Sequence, residues 1–487
     1  METTMRTVLW MLVLLILPGT GTRSAAALAI DGGYAVVVSK TTDSDTTWKP
    51  VVDALVVKYQ ASVLTYDQAI DECLAGLCRK PPRYVCFVAR PAEVTREFVA
   101  RANRLTRRLD DEPYSDALWG ILTGYDAACA LRIARHKEPL VIRRVAAGTE
   151  VELAACEEGV WYCELNQGKM VRKLPHGKPQ QLQAPADTTK ALVDALNVYK
   201  AQLFITSGHA TERDWQIGYR YHNGQFRSQA GQLFGLDTEG HRYPIVCDNP
   251  KVYLPVGNCL MGHIDGPDAM ALAFMQSAGV YQMVGYTVPT WYGYAGWGML
   301  DYFVEQPGRF TLAEAFFANQ QALIHRLVTC FPGLEKAGTG QDRLPASEKL
   351  PRQAQKAGLT WQDARGLLYD RDSVAFYGDP AWEARMAPGP LAWEQTLTEE
   401  GDTYRFEIRP LRGKRSFEPI NRNGSQRGGR PIMQLLPHRI QAKSVVVVEG
   451  ANLEPVVTHD FLLVPNPGKC DPKRPYRVVF RASRAGD

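Results

Sequence analysis

Two residues with reactive side chains end apolar runs in this 487-residue chain. His209 ends "FITSGH", and Cys259 ends "VYLPVGNC" fifty residues later. A buried strand that stops in a turn presents its last side chain. An imidazole close to a thiol takes the thiol's proton and leaves a thiolate, which is the nucleophilic form. The pair therefore predicts a cysteine nucleophile with histidine as its general base.

Other interpretations of these residues stay open. A cysteine at a strand end is most often a small buried hydrophobe. His263, four residues after Cys259, is a competing base, although a helix beginning there would direct its ring away from the thiol. Glu212 and Asp214 either orient His209 or are solvated, and solvation is favoured.

The elements that must position the pair follow an alternating pattern. Short β-rich runs such as "YAVVVSK" and "YVCFVA" alternate with amphipathic helical stretches, and the same alternation resumes around His209 and Cys259. Such alternation predicts an α/β fold with a parallel sheet. In an open parallel sheet the carboxyl ends of neighbouring strands lie together, so we expect His209 and Cys259 to share one crevice.

The chain divides by composition into five segments. An eleven-residue apolar core followed by "SAAALA" is typical of a cleaved secretory signal and predicts export to the periplasm, the cell envelope or the medium. No later apolar run reaches the roughly 18 residues of a membrane span. The predicted segments are the signal peptide (1–29), an N-terminal α/β unit (30–165), a polar loop or linker (166–187), a second α/β unit (188–390) and a β-sandwich (391–487).

Charge and cysteine usage narrow the function classes. The net charge of +4 is small for this length and gives no reason to expect nucleic acid. Ten cysteines in an exported chain permit disulfides, and we expect the pairs Cys73–Cys78 and Cys156–Cys163 to be bridged. Neither pair has the spacing of a zinc site, so no metal or cofactor is predicted.

The segments "FITSGH", "VYLPVGNC", "MALAFMQSAGVYQMVGYTVP" and "SVAFYGDPAWEARM" resemble the gingipain branch of the caspase-like cysteine peptidases. A histidine about fifty residues before the nucleophile is also the caspase order. The resemblance covers residues 190 to 388 well and the first unit only by architecture. It implies two adjacent caspase-like α/β units with parallel sheets, followed by a small immunoglobulin-like β-sandwich.

The resemblance assigns roles at matching positions only. Cys259 matches the nucleophile and His209 the general base. The backbone N–H groups of Cys259 and Ala210 match the oxyanion hole, although the family usually has glycine where this chain has Ala210. Glu150 and Glu152 lie where the family has its histidine-orienting carboxylate.

Residues 286–303, "YTVPTWYGYAGWGMLDYF", form an aromatic and glycine-rich segment. In gingipain-like enzymes the loop after this strand helps to form the substrate pocket, which makes Trp291, Tyr292 and Trp297 candidate walls. Packing in the core is an equal alternative. No acidic residue occurs in the segment before Asp301, so no preference for basic substrates is predicted.

The leading interpretation is an exported cysteine endopeptidase that acts on a protein or peptide substrate. One alternative is a catalytically inactive relative that binds at the envelope or surface through the C-terminal β module, and Ala210 is the feature that favours it. Another is a thiol amidase or transpeptidase on the same scaffold. Hydrolysis and acyl transfer share one acyl-enzyme and differ only in what attacks it.

Overall fold

The computed structural model describes residues 32–337 and 349–486. The predicted signal peptide lies outside the described residues. The described chain is a mixed α/β protein with one large, mostly parallel sheet of twelve strands and several antiparallel sheets, which confirms the α/β prediction. Across these residues, no helix combines the length and the apolarity needed to cross a membrane.

The first four strands form one end of the large sheet in the order β2-β1-β3-β4, with all neighbours parallel. Strands β1 and β4 are buried along their whole length, as expected for a parallel sheet covered on both faces. The strands are β1 (Tyr34–Ser39), β2 (Ser62–Tyr66), β3 (Tyr84–Val88) and β4 (Leu118–Leu122).

The remaining eight strands continue the same sheet in the order β17-β16-β15-β10-β6-β7-β8-β9, with β17 beside β4. Parallel pairing joins β16, β15, β10, β6 and β7, which places their carboxyl ends at one edge. The strands are β6 (Arg144–Ala147), β7 (Glu158–Tyr162), β8 (Lys169–Lys173), β9 (Gln180–Gln183), β10 (Leu203–Thr206), β15 (Lys251–Pro255), β16 (Val280–Tyr286) and β17 (Val374–Tyr377).

The polar segment 166–187 contains strands β8 and β9, where the sequence indicated a loop or linker. The two strands pair antiparallel at the end of the large sheet. All of β9 is exposed, so it carries none of the apolar alternation by which a half-buried strand is recognised. The sheet therefore runs through this segment without a break, and the proposed domain boundaries stay predictions.

Eleven α-helices occur among the described residues. The longest, α9, lies between the large sheet and the C-terminal module, because Phe316 packs against Trp119 and Phe317 against Phe461. The helices are α1 (Lys40–Ser44), α2 (Lys49–Tyr59), α3 (Leu74–Arg79), α4 (Arg96–Leu105), α5 (Ala127–Arg135), α6 (Thr189–Asn197), α7 (Met270–Gln276), α8 (Tyr294–Met299), α9 (Leu312–Cys330), α10 (Arg352–Lys356) and α11 (Trp361–Arg371).

Two small sheets flank the large one. A four-stranded antiparallel sheet lies in the chain between His209 and Cys259, and a two-stranded sheet pairs residues far apart in sequence. The first consists of β11 (Asp214–Gln216), β12 (Gln225–Gln229), β13 (Gln232–Leu236) and β14 (Arg242–Ile245), and the second of β5 (Leu140–Ile142) and β18 (Ala384–Met386).

The C-terminal module has two antiparallel sheets around one core, which includes Phe406, Ile432, Leu462 and Phe480. Its strands are β19 (Trp393–Glu400), β20 (Thr403–Pro410), β21 (Ile432–Leu435), β22 (Val446–Glu449), β23 (Val456–Val457), β24 (Phe461–Val464) and β25 (Tyr476–Arg481). Four of these seven strands, β20, β22, β24 and β25, were predicted from the short β-rich runs between Gly, Pro and Asn and are confirmed, whereas the other three were not predicted.

All ten cysteines are free thiols, so both predicted disulfides are wrong. Cys73 and Cys78 are five positions apart on consecutive helical turns, which directs their side chains about 140° apart. Cys73 is buried, whereas Cys78 is exposed. Cys156 faces the carbonyl of Glu152, and Cys163 accepts from the amide of Asn166.

Candidate active site

The carboxyl ends of two neighbouring strands bring His209 and Cys259 together. Strands β10 and β15 pair parallel, with Thr206 opposite Pro255. His209 follows the first strand by three residues and Cys259 follows the second by four. Both residues line one cavity of about 490 Å³. The strand-end reasoning thus places the predicted pair in a common crevice.

The turn after β15 presents the thiol of Cys259, which is half-buried. Leu260 has a φ of 60°, a left-handed conformation that is uncommon for a non-glycine residue. Its N–H donates to the carbonyl of Val288, which fixes the turn. The backbone N–H of Thr290 donates to the Cys259 Sγ at 3.2 Å. The Cys259 Sγ donates in turn to the carbonyl of Thr290 at 3.8 Å, so the backbone of Thr290 fixes the position of the sulfur.

Asn258 links the two reactive loops. Its Oδ1 accepts a hydrogen bond from Thr206 Oγ1 at 2.6 Å, and its Nδ2 donates to the carbonyl of Gly208 at 3.0 Å. The side chain is fully buried. Since Gly208 directly precedes His209, this amide couples the position of the histidine to that of the thiol.

His209 is exposed at the mouth of the cavity. Gly208 has a φ of 98°, where a side chain would be strained, so glycine permits the turn that places the histidine. The carbonyl of His209 accepts from the N–H of Gln216 at 2.9 Å. Its ring lies against that of Tyr219, with 4.7 Å between centroids.

The two backbone N–H groups assigned to the oxyanion hole are unengaged. Among the described residues, neither the N–H of Cys259 nor that of Ala210 donates to an acceptor in the chain. Ala210 is not one of the residues with positive φ. Alanine therefore adopts the backbone conformation at this position without the strain that would require glycine.

Trp291, Tyr292 and Trp297 all line the cavity that holds Cys259. The Trp291 side chain is 45% exposed, so its ring forms part of the accessible wall of the cavity. Tyr292 is buried and donates from its hydroxyl to Asp363 at 3.1 Å. The two interpretations of the aromatic segment therefore apply to different residues, with Trp291 at the pocket and Tyr292 shared with the core.

Glu164 is a carboxylate of this cavity that sequence reasoning missed. It is 5% exposed, and burial raises its pKa. Its Oε1 accepts from Thr149 Oγ1 at 2.6 Å and from Ser207 at 3.4 Å. Its Oε2 is buried without a hydrogen-bond partner in the described part of the chain. Glu164 lies just after β7, at the same sheet edge as Cys259.

The proposed orienting carboxylates have other partners. Glu150 pairs with Lys169 at 3.8 Å, and Glu152 accepts from the N–H of Ala154 at 2.9 Å. Within residues 32–337 and 349–486, neither makes a hydrogen bond or ion pair with His209. The histidine-orienting role of either residue stays a prediction.

The competing base, His263, does not line the cavity. Its Nδ1 lies 2.9 Å from Glu212 Oε1, and Arg96, which follows β3, approaches the same nitrogen at 3.4 Å. Asp214 accepts from the hydroxyl of Thr211. Glu212 and Asp214 are thus engaged with partners other than His209.

Asp301, the one acid of the aromatic segment, does not line the cavity. Its carboxylate binds Arg430 Nε at 2.8 Å, Arg427 Nε at 3.2 Å and the N–H of Gly428 at 2.9 Å. These donors all come from the C-terminal module. Asp301 therefore joins the module to the body of the protein.

One group of carboxylates in the described chain has the spacing of a metal site, and it lies away from the cavity. Ligand atoms of Asp110, Glu112 and Asp116 lie within 4.8 Å of one another. Burial raises the pKa of Asp116 to about 10 and that of Glu112 to about 8. His459 Nδ1 lies 2.7 Å from Asp110. Arg439 also donates to Asp110 Oδ2 at 3.4 Å.

Comparisons with known proteins give two structural likenesses. The crystal structure of the Arg-specific cysteine proteinase gingipain R matches with a TM-score of 0.42 and 11% identity, over 90% of this chain and 92% of that one. A structure described as a protease matches with a TM-score of 0.41 and 10% identity, over 93% and 95%. No family model and no curated protein matches the sequence. At these scores the likeness carries no functional conclusion.

Proposed function

We propose that the protein is a cysteine peptidase of gingipain-like type, which hydrolyses peptide bonds through His209 and Cys259. The observation that carries the proposal is the shared cavity, in which a thiol and an imidazole from neighbouring strand ends meet three aromatic side chains. A concave site that combines aromatic walls with polar groups is a common form of a substrate pocket.

The proposed reaction has two steps, formation of a thioester and its hydrolysis. In the first, His209 takes the thiol proton, and the Cys259 thiolate attacks the peptide carbonyl. The oxyanion then accepts hydrogen bonds from the free N–H groups of Cys259 and Ala210. His209 returns the proton to the departing amine, which leaves a thioester. In the second step, His209 removes a proton from water, which attacks the thioester. The C–S bond breaks, the acid is released, and the Cys259 sulfur takes the proton back from His209.

The charged residues of the cavity give no reason to expect a basic substrate. Arg220 lines the cavity together with Glu164. Glu164 Oε2 is buried, and burial raises the pKa of this carboxyl, which favours its neutral form. The proposal therefore keeps the expectation of no basic preference that the aromatic segment gave.

The predicted signal sequence makes the proposed enzyme an exported one. That part of the proposal rests on residues 1–29, whose composition is typical of secretion. The wider gingipain-like architecture, with two caspase-like units and an immunoglobulin-like module, belongs to the same proposal.

The proposal is tested with a library of fluorogenic peptides. We expect turnover by the wild-type protein, and Cys259→Ala should lower it at least about 1,000-fold. Cys78→Ala is the matched control, because Cys78 is an exposed thiol elsewhere in the fold. A wild-type protein that cleaves no peptide and whose Cys259 resists alkylation would contradict the proposal and favour an inactive binding protein.

A further inference from the structure

The cavity around Cys259 is not built by the α/β body alone. Asn423, Gly424 and Ser425, which belong to the C-terminal module, line it together with His209 and Cys259. These residues lie in the loop 421–429, ahead of strand β21. The module thus contributes directly to the site where substrate is expected.

The loop contacts the aromatic wall through its backbone. Gly424 has a φ of 96°, and a Cβ at this position would lie 2.6 Å from the Trp297 ring. Only glycine allows this approach without displacing either the loop or the ring. The N–H of Asn423 donates to Asn421 Oδ1 at 2.8 Å, which fixes the turn.

A buried ionic network fastens the loop to the body. Arg427 forms ion pairs with Asp301 and Glu305, and Arg430 binds Asp301. Both arginine side chains are at most 4% exposed. Asp301 lies in the π-helical turn Leu300–Val304 that continues α8, the helix that contains Trp297. The same element therefore supports the aromatic ring and holds the loop against it.

Asn423 also lies beside the buried acid of the cavity. Burial raises the pKa of Glu164, and the nearby amide of Asn423 opposes that rise, as do Thr149 and Ser207. A polar side chain from the module and a carboxylate from the body thus share one region of the pocket. Such a pair discriminates between substrates because a mismatched ligand leaves buried polar groups unpaired.

We propose that the loop 421–425 of the C-terminal module is a specificity-determining wall of the substrate cavity, in which Asn423 selects for hydrogen-bonding side chains of the peptide. The inference rests on the proposed function and deepens it. The module is then a part of the peptidase site rather than a separate contact surface.

The first test alters the backbone contact. Gly424→Ala is compared with Gly413→Ala, since Gly413 also has a positive φ, at 61°, but has nothing within 4 Å of the position where a Cβ would stand. We expect Gly424→Ala to raise KM for peptides about tenfold. Iodoacetamide labelling of Cys259 should stay within about twofold, because this small reagent needs no pocket. Gly413→Ala should match the wild type in both assays.

The second test alters the chemistry of the wall. Asn423→Leu keeps the branched shape of the side chain and removes the amide, and Asn452→Leu is its exposed control in the same module. Across a fluorogenic peptide library, we expect Asn423→Leu to shift kcat/KM about tenfold toward apolar side chains. Asn452→Leu should leave the profile unchanged.

The outcomes separate the two proposals. Wild-type turnover with a profile that neither Gly424→Ala nor Asn423→Leu alters would overturn the role of the loop and leave the peptidase intact. Equal losses of turnover and of Cys259 labelling would also overturn it, because the loop would then be supporting the fold. A wild-type protein with no turnover and no labelling of Cys259 would instead overturn the peptidase itself.

Discussion

The loops after β1 and β3 and the loops after β10 and β15 leave the same large sheet at strand carboxyl ends, yet their polar groups behave differently. In the first pair, Glu93 accepts from Ser39 at 2.6 Å, from Thr42 at 2.7 Å and from the N–H of Arg90 at 2.7 Å. In the second pair, the thiol of Cys259 and the imidazole of His209 face a cavity.

The two sets of loops differ in whether their polar groups are satisfied within the chain. Polar groups that satisfy one another stabilise a loop and have no capacity left for a ligand. Around Cys259, by contrast, the backbone N–H groups of Cys259 and Ala210 donate to no acceptor among the described residues. Unsatisfied groups of this kind are what a substrate can engage.

Substitutions that disrupt one loop pair at a time should have different effects on turnover. Asn258→Ala removes the amide that links the two reactive loops, and a misplacement of about 1 Å is expected to lower kcat/KM about 100-fold. Glu93→Gln perturbs the other loop pair and should leave turnover unchanged. Both variants should lose about 1–3 kcal/mol of stability, since each weakens buried hydrogen bonds. Peptide hydrolysis and thermal unfolding measure the two effects. A similar loss of turnover in both variants would remove the distinction.

A smaller effect is expected at the aromatic wall. Trp291→Ala should lower peptide turnover about tenfold with little change in Tm, because this side chain is 45% exposed and contributes to the pocket rather than the core. Trp393→Ala, in the C-terminal module, is the control for losing a tryptophan. If Trp291→Ala instead lowered the free energy of unfolding by about 3–5 kcal/mol, as the loss of a core aromatic does, the pocket interpretation would be wrong.

The smallest effect concerns pH. Burial raises the pKa of Asp370 to about 7, and its Oδ2 accepts from the Tyr286 hydroxyl and from the N–H of Ala295, both at 2.9 Å. Because the folded state holds the proton more tightly, this group favours folding below about pH 4, and that contribution is lost as pH rises through about 7. Asp370→Asn should flatten this part of the stability profile, as measured by denaturant unfolding at each pH. An unchanged slope between pH 4 and 7 would contradict it.

Local sequence predicts the residues of the site that directly follow the ends of strands. His209 and Cys259 share a cavity because parallel neighbours end together, and Trp291 follows the next strand at the same edge. Glu164 was missed because the strand before it, β7, was not predicted to belong to the parallel sheet. Asn423 was missed because it comes from another module, and no local pattern reports a contact over more than 160 residues.

The disulfides illustrate the opposite error. Cysteine spacing suggested bridges, yet helical geometry separates Cys73 from Cys78. Cys156 and Cys163 contact Glu152 and Asn166 instead of each other. The residue type was read correctly, and its partner was decided by tertiary packing that the local sequence does not contain.

Timed alkylation with iodoacetamide, followed by mass-spectrometric mapping, measures whether Cys259 is the activated thiol. Burial raises the pKa of Cys73 to about 11 and that of Cys156 to about 12, so these thiols should react slowly, whereas Cys78 is exposed and serves as the internal reference. We expect Cys259 to be labelled before Cys78, and His209→Ala to slow Cys259 at least about tenfold without altering Cys78. Labelling of Cys78 or Cys470 first, with Cys259 inert in the folded protein, would contradict the account.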